Sequence, residues 1–85
     1  MSINQPDKIK IVVFMYREEK LGRVYHAIHE FEIPAVSQNT IGTRLPEMRK
    51  AGLVDCRRRE EARFKEWRLT QKGILLAMEF VVREP

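Results

Sequence analysis

The apolar positions of the chain fall into short periodic blocks that predict helices. Pro6 followed by Asp7 suits a helix start, and the largely apolar run behind them predicts a first helix over residues 7–19. The β-prone residues of this run leave a strand as the alternative. Residues 21–31 carry apolar side chains at spacings of three and four, which predicts a second helix that ends before Pro34.

The third block, residues 37–51, is the most informative stretch. Ser37 is a good N-cap for a helix over these residues. The side of this helix that faces the core would carry Ile41, Leu45 and Met48, which recur at helical spacing. The opposite, exposed side would carry Asn39, Thr43, Pro46 and Lys50. Gly52 then stands where a left-handed residue is expected after a helix.

Pro46 disturbs this third helix. It lacks the N–H that would bond to the Gly42 carbonyl, and its ring presses on the same turn, so we predict a kink over residues 42–46. The alternative is a regular helix that starts only near Thr43.

Residues 53–70 alternate in polarity and predict a β-hairpin. No Asn-Gly or Asp-Gly pair is present, so its loop should be longer than two residues. Thr70 is the expected N-cap of a last helix over residues 71–82, which is apolar almost all round. A chain of 85 residues cannot easily bury such a helix on every side, so a partner surface is expected there.

Composition narrows the class of protein. A hydrophobic content of 44% and a charged content of 33% are typical of a globular protein, and no linker or repeat divides the chain. We therefore predict a single domain over residues 1–85, with a loose tail at residues 1–5. No signal-peptide pattern or membrane-length apolar run is present, so we expect a cytoplasmic protein. The lone Cys56 excludes an intrachain disulfide and suits a small apolar position better than a redox switch.

The net charge of +4 is concentrated in one window. Residues 43–68 hold nine basic residues against five acidic ones, whereas residues 1–42 and residues 69–85 are each balanced. A localised basic surface is expected of a protein that binds a polyanion. The alternative is a solvated charged hairpin.

Other chemistry has little support. No Gly-rich phosphate loop, Ser/His/Asp set or pair of carboxylates stands out, so we expect no enzymatic activity, no cofactor and no small-molecule ligand. His26, His29 and Glu30 could lie close together on the predicted second helix. Without a further ligand from another segment, such a pair is more typical of polar surface than of a metal site.

The order of these elements resembles the winged helix-turn-helix superfamily. The resemblance is carried by NTIGTRLPEMRKAGLVD at residues 39–55 and WRLTQKG at residues 67–73. Both are similar to segments of MarR-type and PadR-type regulators and of small phage-type winged-helix proteins. The resemblance implies an α+β, mainly α, fold of three helices, a two-stranded hairpin called the wing, and a C-terminal helix.

The resemblance also implies sequence-specific binding of duplex DNA by a transcriptional regulator. The recognition helix, residues 37–51, would lie in the major groove, and the wing, residues 53–70, on the backbone or in the minor groove. Base edges would be contacted by Gln38, Asn39 and Thr43. The DNA backbone would be contacted by Ser37, Arg44, Lys50, Arg57, Arg58, Arg59, Arg63 and Lys65. For Arg44 an ion pair inside the chain is the alternative.

The regulators that the chain resembles imply a homodimer through the N- and C-terminal helices. Two other functions stay open. The glutamates in the wing and Pro46 in the recognition helix favour a protein-interaction module, a subunit or adaptor that does not read DNA. Non-specific nucleic-acid binding is the third possibility.

Overall fold

The computed structural model describes residues 5–83, which form a small, mainly helical α+β fold. The elements in chain order are α1 (Pro6–Lys20), a single 3₁₀ turn (Ile28–Glu30), α2 (Gln38–Lys50), β1 (Val54–Arg57), β2 (Glu66–Leu69) and α3 (Gln71–Arg83). The strands pair antiparallel as a hairpin. The fold class is confirmed at this level, with three α-helices in the described range instead of the four that were expected.

The first helix is confirmed, and the strand alternative for this segment is wrong. The Gln5 carbonyl accepts from the N–H groups of Lys8 and Ile9, at 3.1 and 3.3 Å, so Gln5 begins the helix. The remainder of the predicted tail, residues 1–4, lies outside the described residues. Gly22 follows the helix at a φ of 89°, and its N–H donates to the Glu19 carbonyl (2.9 Å). Glycine adopts this left-handed conformation without strain, which is why α1 ends here.

The second helix predicted over residues 21–31 is wrong. Beyond Gly22 the chain is extended, and His26 pairs in both directions with Trp67 of β2, at N···O distances of 2.9 and 2.7 Å. Only the 3₁₀ turn at Ile28–Glu30 is helical in this segment. The free edge of β2 provides hydrogen bonds to the backbone of this segment, and these outweigh its helical spacing.

The third predicted helix is confirmed as α2. The Thr40 N–H donates to the Ser37 hydroxyl oxygen (3.1 Å), so Ser37 is the N-cap as predicted. The core-facing side chains Ile41, Leu45 and Met48 are fully buried. The helix is continuous through Pro46, so the alternative start near Thr43 is wrong.

The end of α2 is closed by Gly52, which has a φ of 79°. The Gly52 N–H donates to the Arg49 carbonyl (3.0 Å), and the Leu53 N–H reaches back to the Met48 carbonyl (2.9 Å). This pair of hydrogen bonds satisfies carbonyls that a helix end otherwise leaves without partners. Gly52 therefore has the capping role that the sequence predicted.

The start of α3 is bound to the end of α2. The Lys72 ammonium donates to the Ala51 carbonyl (2.9 Å), and the Thr70 hydroxyl donates to the Gly52 carbonyl (2.5 Å). The Thr70 N–H donates to the Leu53 carbonyl (3.0 Å). The Gly73 N–H in turn donates to the Thr70 hydroxyl oxygen (3.1 Å), which confirms Thr70 as the N-cap of α3.

The hairpin is confirmed, with a loop over residues 58–65 that we call the hairpin loop. Cys56 lies opposite Trp67, and Val54 lies opposite Leu69. These side chains form the inner face of the hairpin, with Cys56 half-buried and the other three buried. The outer face carries Asp55, Arg57, Glu66 and Arg68, as the alternation of side chains along a strand requires.

The core lies between α1, α2, the hairpin and α3. Helix α3 buries Leu76 and Ala77 there but leaves Leu75, Met78 and Val82 exposed, at 55%, 42% and 82%. The expectation that α3 cannot bury every apolar side is therefore confirmed. Within residues 5–83, no helix has the length and apolar character that a membrane crossing requires.

Candidate nucleic-acid interface

The exposed face of α2 carries the three side chains expected to contact bases, Gln38, Asn39 and Thr43. The Gln38 amide donates to the carbonyl of His29 (3.3 Å), and the Thr43 hydroxyl donates to the Asn39 carbonyl one turn back (3.0 Å). The Asn39 side-chain amide makes no hydrogen bond within residues 5–83. Asn39 is therefore the side chain of this face whose donor and acceptor are both available to a ligand.

Ser37 stands at the N-terminus of α2, where unpaired N–H groups and the helix dipole favour an anion. Its hydroxyl is already used, since it accepts from the Thr40 N–H and lies 3.0 Å from the Thr40 hydroxyl. Ser37 therefore acts as the N-cap of α2 in this structure.

Arg44 is held by ion pairs inside the chain. One guanidinium nitrogen lies 3.3 Å from a Glu47 carboxylate oxygen, and Nε lies 4.0 Å from Asp7 of α1. The side chain is only 28% exposed. This geometry favours the ion-pair alternative for Arg44 over a contact with a phosphate.

Two of the hairpin arginines share one carboxylate. The Nε atoms of Arg57 and Arg59 lie 3.1 and 3.2 Å from the same Glu66 oxygen. The Arg57 guanidinium also lies 3.3 Å from the centre of the Tyr25 ring, a cation–π contact across the outer face of the hairpin. Because each of these contacts would have to loosen before a phosphate is bound, Arg57 and Arg59 are weaker candidates than their charge suggests.

The remaining expected backbone contacts are exposed and form no ion pair within the described part of the chain. They are Lys50 at the end of α2 and Arg58, Arg63 and Lys65 of the hairpin loop. Their charges are not neutralised locally, so these four residues supply most of the unpaired positive charge of the predicted window.

One contact joins the hairpin loop to the 3₁₀ turn at Ile28–Glu30, and it was not predicted from the sequence. The Phe64 ring meets the His29 ring edge-on, with centroids 5.1 Å apart and an angle of 63°. His29 is also the residue whose carbonyl accepts from Gln38 (3.3 Å). The hairpin loop, which carries the unpaired cations Arg63 and Lys65, is therefore connected through His29 to the first turn of α2. A lone phenylalanine inside a basic loop was the signal that could have indicated it.

The carboxylates of Glu18 and Glu47 form ion pairs near this surface. Hydrogen bonds from Arg23, at 2.9 and 2.8 Å, hold the pKa of Glu18 below its ordinary value. The Lys8 ammonium, 3.2 Å from Glu47, lowers the pKa of that carboxyl, and Arg44 adds to the effect. Helix α2 is therefore linked to α1 by charge as well as by apolar packing.

The residues considered for a metal do not come together as one face. His26 is buried between the rings of Phe14 and Phe31, at centroid distances of 5.7 and 5.6 Å, whereas His29 is exposed. The part of the chain that the structure describes contains no group of three or more potential metal ligands.

A comparison with models of known protein families, with curated proteins and with solved structures found no match for this chain.

Proposed function

We propose that this chain is a winged-helix protein that binds duplex DNA in a sequence-specific manner, as a transcriptional regulator. Helix α2 would be the recognition helix in the major groove, and the hairpin would be the wing on the backbone or in the minor groove. The observation that supports this proposal is that His29 contacts both the exposed start of α2, through Gln38, and the hairpin loop that carries unpaired cations, through Phe64.

Within this surface the roles differ. Asn39, Gln38 and Thr43 would contact base edges, since side-chain amides pair with adenine and a threonine methyl can meet the methyl of thymine. Lys50, Arg58, Arg63 and Lys65 would neutralise phosphates, which positions the protein without reading sequence. The Glu66-bound arginines would contribute less, and Arg44 would hold α2 against α1.

The test is a titration of the protein into a fluorescent duplex of mixed sequence, followed by anisotropy at several salt concentrations. Each phosphate neutralised contributes about −0.9 to the log–log salt slope, so we expect a slope of roughly −4 to −8 for a bound dimer. Lys50→Ala and Lys65→Ala each remove two phosphate contacts from the dimer, so each should reduce the magnitude of the slope by about two. Lys20→Ala, which removes a charge from the end of α1, is the matched control and should leave the slope unchanged.

Competitor DNA separates the remaining functions. On a duplex selected from a random-sequence pool, sequence-specific binding survives an excess of unrelated duplex, whereas non-specific nucleic-acid binding is lost. Absence of binding even at low salt would contradict the proposal and favour the protein-interaction module, for which the exposed apolar side of α3 is the corresponding surface.

We also propose that two copies pair through α3. Its exposed residues Leu75, Met78 and Val82 recur at spacings of three and four and so lie along one side of the helix. The apolar residues of α1 are mostly buried inside the chain, so α3 supplies the larger share of the surface. Sedimentation at tens of micromolar should give a dimer and Met78→Glu a monomer. A wild-type monomer at that concentration would contradict the proposed pairing.

A further inference from the structure

Phe64 is the most exposed aromatic side chain among the described residues, at 56%. It does not belong to the hydrophobic core or to the half-buried residues packed against that core. Its only ring contact within residues 5–83 is the edge-on one with His29. More than half of the Phe64 side chain is therefore accessible to a ligand that an aromatic ring can contact.

The neighbours of Phe64 indicate what kind of ligand that is. Arg63 and Lys65 flank it directly, and both are exposed and without ion pairs in the described range. Cations beside an exposed aromatic ring match a nucleic acid, in which phosphates flank a stack of bases. An apolar protein partner would instead require the two charges to be desolvated.

The position of Phe64 relative to α2 indicates where on the nucleic acid the ring would lie. The ring contacts His29, and the carbonyl of the same His29 accepts from Gln38 in the first turn of α2. With α2 in the major groove, a hairpin loop at its N-terminal end reaches across the adjacent phosphates to the neighbouring minor groove.

We propose that Phe64 inserts between two base pairs in the minor groove, next to the bases that α2 reads, and kinks the duplex there. This inference rests on the proposed DNA binding. Apolar side chains that enter a base step unstack it partly and bend the duplex by about 20–90° toward the major groove. Arg63 and Lys65 neutralise the phosphates on the two sides of the opened step, which favours the bend.

The experiment places the fluorescent base 2-aminopurine at successive positions of a bound duplex and measures its emission with and without protein. We expect one step in each half-site to brighten, because an unstacked 2-aminopurine loses its quenching. Phe64→Ala should abolish the increase and weaken binding about 10-fold, a typical value for loss of one aromatic–base stack. Phe64→Leu, which keeps an apolar side chain that can enter the step, should retain part of the fluorescence increase and part of the affinity.

Two further variants separate insertion from a purely structural role for the ring. Arg63→Ala should reduce the magnitude of the salt slope by about two for a bound dimer, whereas Phe64→Ala should leave the slope unchanged, because no charge is lost. His29→Ala removes the ring contact but keeps Phe64, so it should reduce the brightening only in part, whereas Phe64→Ala abolishes it.

The outcomes distinguish this inference from the proposed function. Wild-type protein that binds duplex with no brightened step, or with equal losses in Phe64→Ala and His29→Ala, overturns the insertion and leaves the DNA binding in place. Wild-type protein that binds no duplex overturns both.

Discussion

Gly73 lies where the first turn of α3 passes closest to the end of α2. A Cβ at this position would overlap the carbonyl oxygen of Leu53 and approach the carbonyl carbon to 3.0 Å. These backbone atoms are held in place, because the Leu53 carbonyl also accepts from the Thr70 N–H. We predict that Gly73→Ala lowers the free energy of unfolding by about 2 kcal/mol or more, as measured by urea denaturation.

Gly42 provides the matched control within α2. A Cβ there would meet Cδ1 of Ile28 at 3.6 Å, an ordinary van der Waals distance. Because alanine is favoured over glycine inside a helix by about 0.5–1 kcal/mol, Gly42→Ala should raise the free energy of unfolding. Equal losses in the two variants would mean that the close approach at Gly73 is not what excludes a side chain.

The sequence alone predicted the structural roles of some residues but not the contacts of others. The roles of Ser37, Gly52 and Thr70 follow from backbone chemistry next to the residue, and all three were predicted correctly. The partners of Arg57 could not be predicted, because Tyr25 and Glu66 reach it only through the pairing of distant segments. Local chemistry is readable in a sequence, whereas ion pairs between segments require the fold.

Among the elements, the segment after α1 shows why periodicity can mislead. Its apolar residues recur at helical spacing, yet Leu21 is 66% exposed and Val24 is half-buried. Gly22 disfavours a helix here, and the open edge of β2 offers His26 two backbone hydrogen bonds. The residue that accepts and donates these hydrogen bonds is Trp67, over 40 positions further along the chain. A pattern within residues 21–31 carries no information about it.

The helices with strong local signals were predicted to within one residue at each end. A proline start for α1, a serine cap for α2 and a threonine cap for α3 fix where each helix begins. The hairpin was predicted by its alternation, but the contact of its loop with His29 was not, because no periodic pattern describes a loop that folds back on another segment.

At the scale of the whole molecule, the free energy of unfolding should depend on pH through two carboxylates, those of Glu18 and Glu47. Arg23 lowers the pKa of Glu18, and Lys8 lowers the pKa of Glu47, each from an ordinary value of 4.5. A carboxyl with a depressed folded pKa binds fewer protons than in the unfolded chain, so its stabilisation is present above pH 4.5 and is lost as pH falls through the folded pKa. We predict that the free energy of unfolding falls between about pH 5 and pH 3, as measured by urea denaturation at a series of pH values.

Two variants test whether Glu18 and Glu47 are the source of this pH dependence. The double variant Glu18→Gln, Glu47→Gln should have a flatter pH dependence than the wild type. Glu61→Gln, at an exposed position without an ion pair in the described residues, should keep the wild-type dependence. An unchanged curve in the double variant would place the acid sensitivity elsewhere.

The hydrogen bonds that join the end of α2 to the start of α3 have a consequence for the DNA that the proposed dimer would accept. The hydrogen bonds of Lys72, Thr70 and the Leu53 carbonyl restrict independent rotation of the two helices. If α3 pairs with its copy, the separation of the two α2 helices becomes a property of the protein. One extra base pair between two half-sites adds about 3.4 Å and about a tenth of a helical turn, so a regulator built in this way selects its operators by their internal spacing as well as by their sequence.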